Sequence, residues 1–135
     1  KLNYGKEYIK LNKDKVNLKL RERYQNDILY SLKKNIRTSI GKGFRKNGYT
    51  KKSRTYEILG CSFEEFKTYL ESKFKPWMTW ENRGLYNSTP DYGWDIDHII
   101  PASNAITEEE LMKLNHFTNL QPLCSFINRD IKKSS

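Results

Sequence analysis

The sequence predicts a single, mostly helical α+β domain, and three observations carry that reading. Ile28, Leu32, Ile36, Ile40 and Phe44 recur every four positions, which is the spacing of one apolar helix stripe. Phe63, Phe66, Leu70 and Phe74 repeat the pattern behind a Ser62/Glu65 capping signature. Trp94–Ile100 is apolar and β-branched and is stopped by Pro101, which reads as a strand.

The 135 residues suffice for one domain with a modest core. Residues 1–25 are rich in Lys, Asn and Tyr with weak periodicity, and are expected to form a basic, partly helical arm. Residues 26–135 form the domain. Its first helix covers 26–47, with Lys33, Lys34, Arg37, Lys42, Arg45 and Lys46 mostly off the apolar stripe. Gly41 and Gly43 each weaken a helix by roughly 1 kcal/mol, so a break is expected near 41–43. Gly48 stops it. A short helix capped by Ser53 and closed by Gly60 follows, then the helix opened by Ser62. Residues 76–93 read as a loop whose Trp77, Trp80, Tyr86 and Tyr92 pack over the core, with base stacking as the other use of such rings. After the strand, Thr107 and Glu110 form a second capping box, with Ile106 and Leu111 as a hydrophobic staple. A second strand around Leu120–Leu123, interrupted by Pro122, leads to a final helix capped by Ser125 that runs to about Lys133.

Net charge is +9, unevenly spread. Residues 1–54 hold 17 Lys and Arg against 4 Asp and Glu, a net of +13; residues 55–135 hold 8 against 12, a net of −4. A basic arm before a slightly acidic body favours a polyanionic partner, above all nucleic acid, and the acidic part is where a cation would be held. No run of 18 apolar residues exists, so no membrane-spanning helix is expected. With no signal-peptide pattern, an intracellular setting is expected. Cys61 and Cys124 are far apart with no C-x-x-C. They are expected to be buried free thiols, not a disulfide or a zinc site.

The chemistry concentrates near the C-terminus. One of only two histidines, His98, adjoins Asp97; Asn119-Leu120-Gln121-Pro122-Leu123 follows, then Asn128. An imidazole titrates near neutrality and suits proton abstraction from water. A carboxylate with a neutral oxygen donor suits a hard cation such as Mg²⁺. Adjacent residues on a regular strand point to opposite faces, so Asp97 and His98 share a site only where the strand twists or ends. Asp95, two residues before Asp97, shares its face. His116 is read as structural.

Asp97-His98-Ile99-Ile100-Pro101, the Asn119 segment and Asn128 together resemble the ββα-metal (His-Me finger) motif of HNH endonucleases over about residues 94–133. Residues 55–80 are similar to the segment that precedes this motif in phage-type members. The resemblance implies metal-dependent hydrolysis of DNA, as nicking or double-strand cutting by a monomer or a DNA-induced dimer. It implies His98 as general base and Asp97 and Asn128 as ligands of one divalent cation, Mg²⁺ before Mn²⁺. Asn119 would sit on the second strand and hold the His98 loop by hydrogen bonds. The cysteine pairs that bind structural zinc in some members are absent. Arg37, Lys42, Arg45, Lys46, Lys132 and Lys133 are the expected nucleic-acid contacts, with Arg129 a lesser one. A catalytically inactive nucleic-acid-binding module and an RNA-directed nuclease are the alternatives.

Overall fold

One long helix, α1 (Leu2–Lys46), carries the rest of the molecule along the buried stripe of its second half. The computed structural model describes residues 2–132, with side chains from residue 7 on other than those of Arg21, Tyr24 and Gln25. Helix α1 crosses position 25 unbroken, so the basic arm expected over residues 1–25 is continuous in backbone with the domain, while its side chains from residue 7 to 20 are exposed and packing begins near Ile28. The helix does not break at Gly41 and Gly43. Leu32, Ile36, Ile40 and Phe44 are buried on either side of those glycines, and burial of the stripe outweighs their propensity penalty. The helix ends where expected. Gly48 takes φ 79°, and the amides of Gly48 and Tyr49 donate back to the carbonyls of Arg45 and Phe44.

Two short helices pack on this stripe. Helix α2 (Thr55–Leu59) buries Ile58 and Leu59, and α3 (Phe63–Ser72) buries Phe63, Phe66 and Leu70. Arg54, not Ser53, holds the N-cap of α2, without a side-chain cap. The Ser62 hydroxyl accepts from the Glu65 amide at 3.1 Å and caps α3 as expected. Between them Gly60 takes φ 86° against the His116 ring, where an added Cβ would lie 2.3 Å from Nε2.

The sheet has two antiparallel strands, β1 (Trp94–His98) and β2 (Leu120–Cys124), in the register Trp94↔Cys124, Asp95↔Leu123, Ile96↔Pro122, Asp97↔Gln121, His98↔Leu120. Pro122 does not interrupt β2. In a two-stranded sheet each strand is an edge strand, which tolerates a residue without an N–H. Trp94 is fully buried and stacks edge-on with Phe74 and Trp80 at centroid distances of 5.0 and 5.4 Å. Trp80 therefore packs in the aromatic core, as read from sequence.

Helix α4 (Glu108–Leu114) lies between the strands in sequence, and Thr107 caps it through the Glu110 amide. The expected staple does not form: Ile106 is 83% exposed, while its amide donates to the Glu110 carboxylate. After β2 the chain turns directly into helix. Its last part, α5 (Ile127–Lys132), is π-helical. Ser125 is already helical instead of capping, and its hydroxyl is buried without a hydrogen-bond partner among the described residues.

Candidate functional site

The strand register divides the chemistry between two faces. Asp95 and Asp97 share one face with Gln121 and Leu123; Trp94, Ile96 and His98 point the other way. The hydrogen-bond partners agree with this division.

On the carboxylate face, α5 lies over β1. Asp97 is 4% exposed. Its Oδ2 accepts from Lys132 Nζ at 2.6 Å and from Gln121 Nε2 at 3.0 Å, and Lys132 also donates to the His98 carbonyl at 2.8 Å. Asp95 Oδ2 accepts from Asn128 Nδ2 at 3.0 Å. Arg129 grips the same carboxylate through Nε at 2.9 Å and Nη2 at 2.8 Å. Asn128 thus reaches Asp95, not Asp97. Lys132 pairs with a carboxylate inside the protein, and so does Arg129. Lys133 lies outside the described residues.

The Asp95–Arg129 clamp has a consequence with pH. Partial burial pushes the Asp95 carboxyl up, but the hydrogen bonds from Arg129 and Asn128 and the guanidinium charge outweigh it. The net effect holds the carboxyl below its ordinary value. A depressed carboxyl stabilises the fold fully above its unfolded value of about 3.9 and loses that contribution as pH falls through the lower folded value. Asp95→Asn should therefore lower the unfolding temperature at pH 7 and make little difference at pH 2. A thermal-unfolding series from pH 7 to 2 on both proteins checks this, and parallel curves would refute it.

On the other face, His98 Nε2 lies 2.8 Å from Oδ1 of Asn115. Asn115 is buried, and its Nδ2 already donates to the Leu111 carbonyl at 2.9 Å. Its oxygen is therefore the acceptor and His98 donates through Nε2, which in the neutral imidazole puts the lone pair on Nδ1. Asn115 went unread in the sequence. Nothing marks it beyond its place at the end of α4, because its role comes from a contact 17 residues away.

Asn119 closes the 3₁₀ turn immediately before β2 and is not itself a strand residue. Its Oδ1 accepts from the Ile100 amide at 2.9 Å, and its Nδ2 donates to the carbonyls of Ile100 and Leu114 at 3.0 and 2.7 Å. With the backbone bond from Ile99 N to Asn119 O at 2.8 Å, this ties down the chain that leaves His98. His116 accepts from the Thr118 amide through Nδ1 and lies against Gly60, a structural use.

His98 lines two clefts along α1. One, of about 210 Å³, is shared with Asp95 and Arg83; the other, of about 420 Å³, with Lys42 and Lys46. Arg37 instead lines a separate cleft with α2 and α3. Arg45 is exposed and lines none of these. The expected nucleic-acid contacts of α1 therefore do not form one surface.

The donors on the carboxylate face are hard oxygens of the kind that Mg²⁺ accepts, and Asn128 Oδ1 has no hydrogen-bond donor on it among the described residues. Among the described residues no three His, Cys, Asp or Glu side chains form a metal-holding group. A cation that keeps most of its waters needs fewer protein ligands than that, and to reach Asp97 Oδ2 it must displace the Lys132 ammonium.

No family model and no solved structure match the chain. Two relatives come from Acanthamoeba polyphaga mimivirus. Uncharacterized protein L426 is 35% identical over 131 residues, covering 96% of this chain and 53% of the relative. Uncharacterized protein L246 is 30% identical over 124 residues, covering 87% and 50%. The chain spans about half the length of the curated relatives it matches.

Proposed function

We propose that this chain is a metal-dependent endonuclease of the HNH kind that hydrolyses DNA phosphodiester bonds. The observation that carries the reading is the fixing of His98. The buried Asn115 oxygen accepts a hydrogen bond from Nε2–H, leaving Nδ1 as the basic nitrogen, and Asn119 holds the backbone that follows. Such a histidine is a general base set in one tautomer and one orientation.

His98 Nδ1 takes the proton of the attacking water, and Asn115 Oδ1 steadies the imidazolium that results. Lys42 and Lys46, on the cleft beside His98, offer charge to the flanking phosphates. Asp97 and Asn128 would hold one Mg²⁺ or Mn²⁺, which when bound neutralises charge on the phosphate and the leaving 3′ oxygen. The reading asks the scissile phosphate to lie across the end of β1, where His98 is the last strand residue.

The ion pairs on Asp95 and Asp97 favour a second reading, a binding module whose carboxylates are satisfied internally. Supercoiled plasmid incubated with the protein separates the two. Open circles or linear product in Mg²⁺ or Mn²⁺, abolished by EDTA, are expected. Intact plasmid under conditions of clear binding would move the reading to the module.

A further inference from the structure

The widest of these clefts, about 510 Å³, lies away from His98 between α1, α2 and α3. Four cations line it: Lys33 and Arg37 from α1, and Lys51 and Arg54 from the segment before α2. Glu64 is the one carboxylate among its lining residues, and none of the four cations forms an ion pair among the described residues. At 100° per residue Lys33 and Arg37 flank the buried stripe of α1 on one side, and Ser39, Lys42 and Lys46 on the other. The cleft and the His98 side are therefore separated by the core contact of α1.

Two of the four cations make contacts that keep them at the cleft, and Arg37 and Arg54 line it as exposed side chains. Lys51 Nζ donates to the hydroxyl of buried Thr55 at 2.7 Å. Lys33 Nζ lies over the Phe63 ring, 5.4 Å from its centroid. The N-terminus of α3 opens on the same space through Ser62 and Phe63 and adds its positive end. Burial, and then the charge of Arg37, push the Lys51 ammonium below its ordinary value, as expected where like charges gather without a counter-ion. A concave site of this kind is neutralised by a ligand with several charged oxygens. Arg37 and Arg54 each present the planar fork that pairs with a phosphate through two oxygens.

We infer that this cleft grips the phosphodiester backbone of a nucleic-acid duplex at a point away from His98, as a second, non-catalytic contact. The contact is one of binding and goes beyond the proposed catalysis. In a chain whose α1 cations face different ways, it gives Lys33, Lys51 and Arg54 a role alongside Arg37.

The test is binding of a fluorescent DNA duplex, in EDTA, followed by anisotropy from 50 to 300 mM salt. Three proteins are compared: wild type; a triple variant with Lys33→Gln, Arg37→Gln and Arg54→Gln; and a control triple with Lys73→Gln, Lys75→Gln and Lys113→Gln. All six side chains are exposed, and circular dichroism confirms that each variant is folded. Each lost phosphate contact removes about 0.9 from the slope of log K against log salt, so the cleft triple should lose roughly 2–3 from the slope and about tenfold or more in affinity. The control should lose less than half as much. Equal losses in both triples would reduce the effect to overall charge and overturn the proposal, as would an unchanged slope in the cleft variant. A parallel titration with inorganic phosphate, followed by amide NMR shifts, separates the sources of the anion. Saturating shifts at Ser62–Glu64 together with an unchanged duplex slope would assign the cleft to a small phosphate ligand and also overturn it. Because no cleavage is read, these outcomes do not depend on whether His98 is catalytic.

Discussion

Replacing His98 with alanine should lower metal-dependent plasmid nicking by a factor of about 10²–10⁴, the usual worth of a positioned general base. Duplex affinity should stay within about threefold, since the cations, not the imidazole, supply most of that binding. The Asn115 oxygen that accepts from His98 is buried, so the variant also leaves an unmatched acceptor that costs about 1–3 kcal/mol of stability. The assay therefore belongs well below the unfolding temperature, with circular dichroism recorded at the same point. Nicking within a few-fold of wild type in a folded variant would remove His98 from the proposed reaction. Loss of binding together with cleavage would make it a structural residue of the interface instead.

Trp94→Ala should be the most damaging single truncation in the sheet. The side chain is fully buried against Phe74 and Trp80, and its Nε1 donates to the Thr79 carbonyl at 2.6 Å. Removing a large buried aromatic costs about 3–5 kcal/mol, which for a chain of this size lowers the unfolding temperature by roughly 10 °C or more. Trp94→Phe keeps an aromatic partner and should lose less than half of that. A drop below about 1 kcal/mol in Trp94→Ala would mean that the aromatic cluster does not anchor β1. The anchor also bears on the site. Trp94 pairs with Cys124 at the start of β1, and a slip of one residue would send His98 toward α5 and the two aspartates toward α1.

Local signals read well from this sequence. The four-residue stripe of α1, the Ser62 and Thr107 caps, Gly48 and Gly60 as helix stops and both strands follow from spacing, capping chemistry and backbone freedom, and each occurs. Errors came where a tertiary contact overrides a local preference. Gly41 and Gly43 stay helical because the stripe around them is buried; the exposure of Ile106 is a separate departure, in which only its backbone engages Glu110. The candidate site divides in the same way. Asp97, His98, Asn119 and Asn128 were visible as residue types at fitting spacings. Their partners were not, because Asn115 on His98, Arg129 on Asp95 and Lys132 on Asp97 are long-range pairs. Asp97 and His98 were expected to share one site where the strand twists or ends; the register is regular through His98, which is the last strand residue, so the two side chains leave β1 on opposite faces.

Helix α1 is continuous in hydrogen bonding and uneven in energy. Its 45 residues span about 68 Å at 1.5 Å per residue, yet burial against the domain begins only near Ile28, and every side chain from residue 7 to 20 is exposed. The exposed stretch is held by propensity without tertiary packing, the source of most helical stability in proteins. The opening free energy of its amides should therefore climb along one rod, from near zero at the solvent end to the global value beside Leu32 and Ile36. The same helix is a fixed wall where it meets His98 and an adaptable cationic lever beyond it.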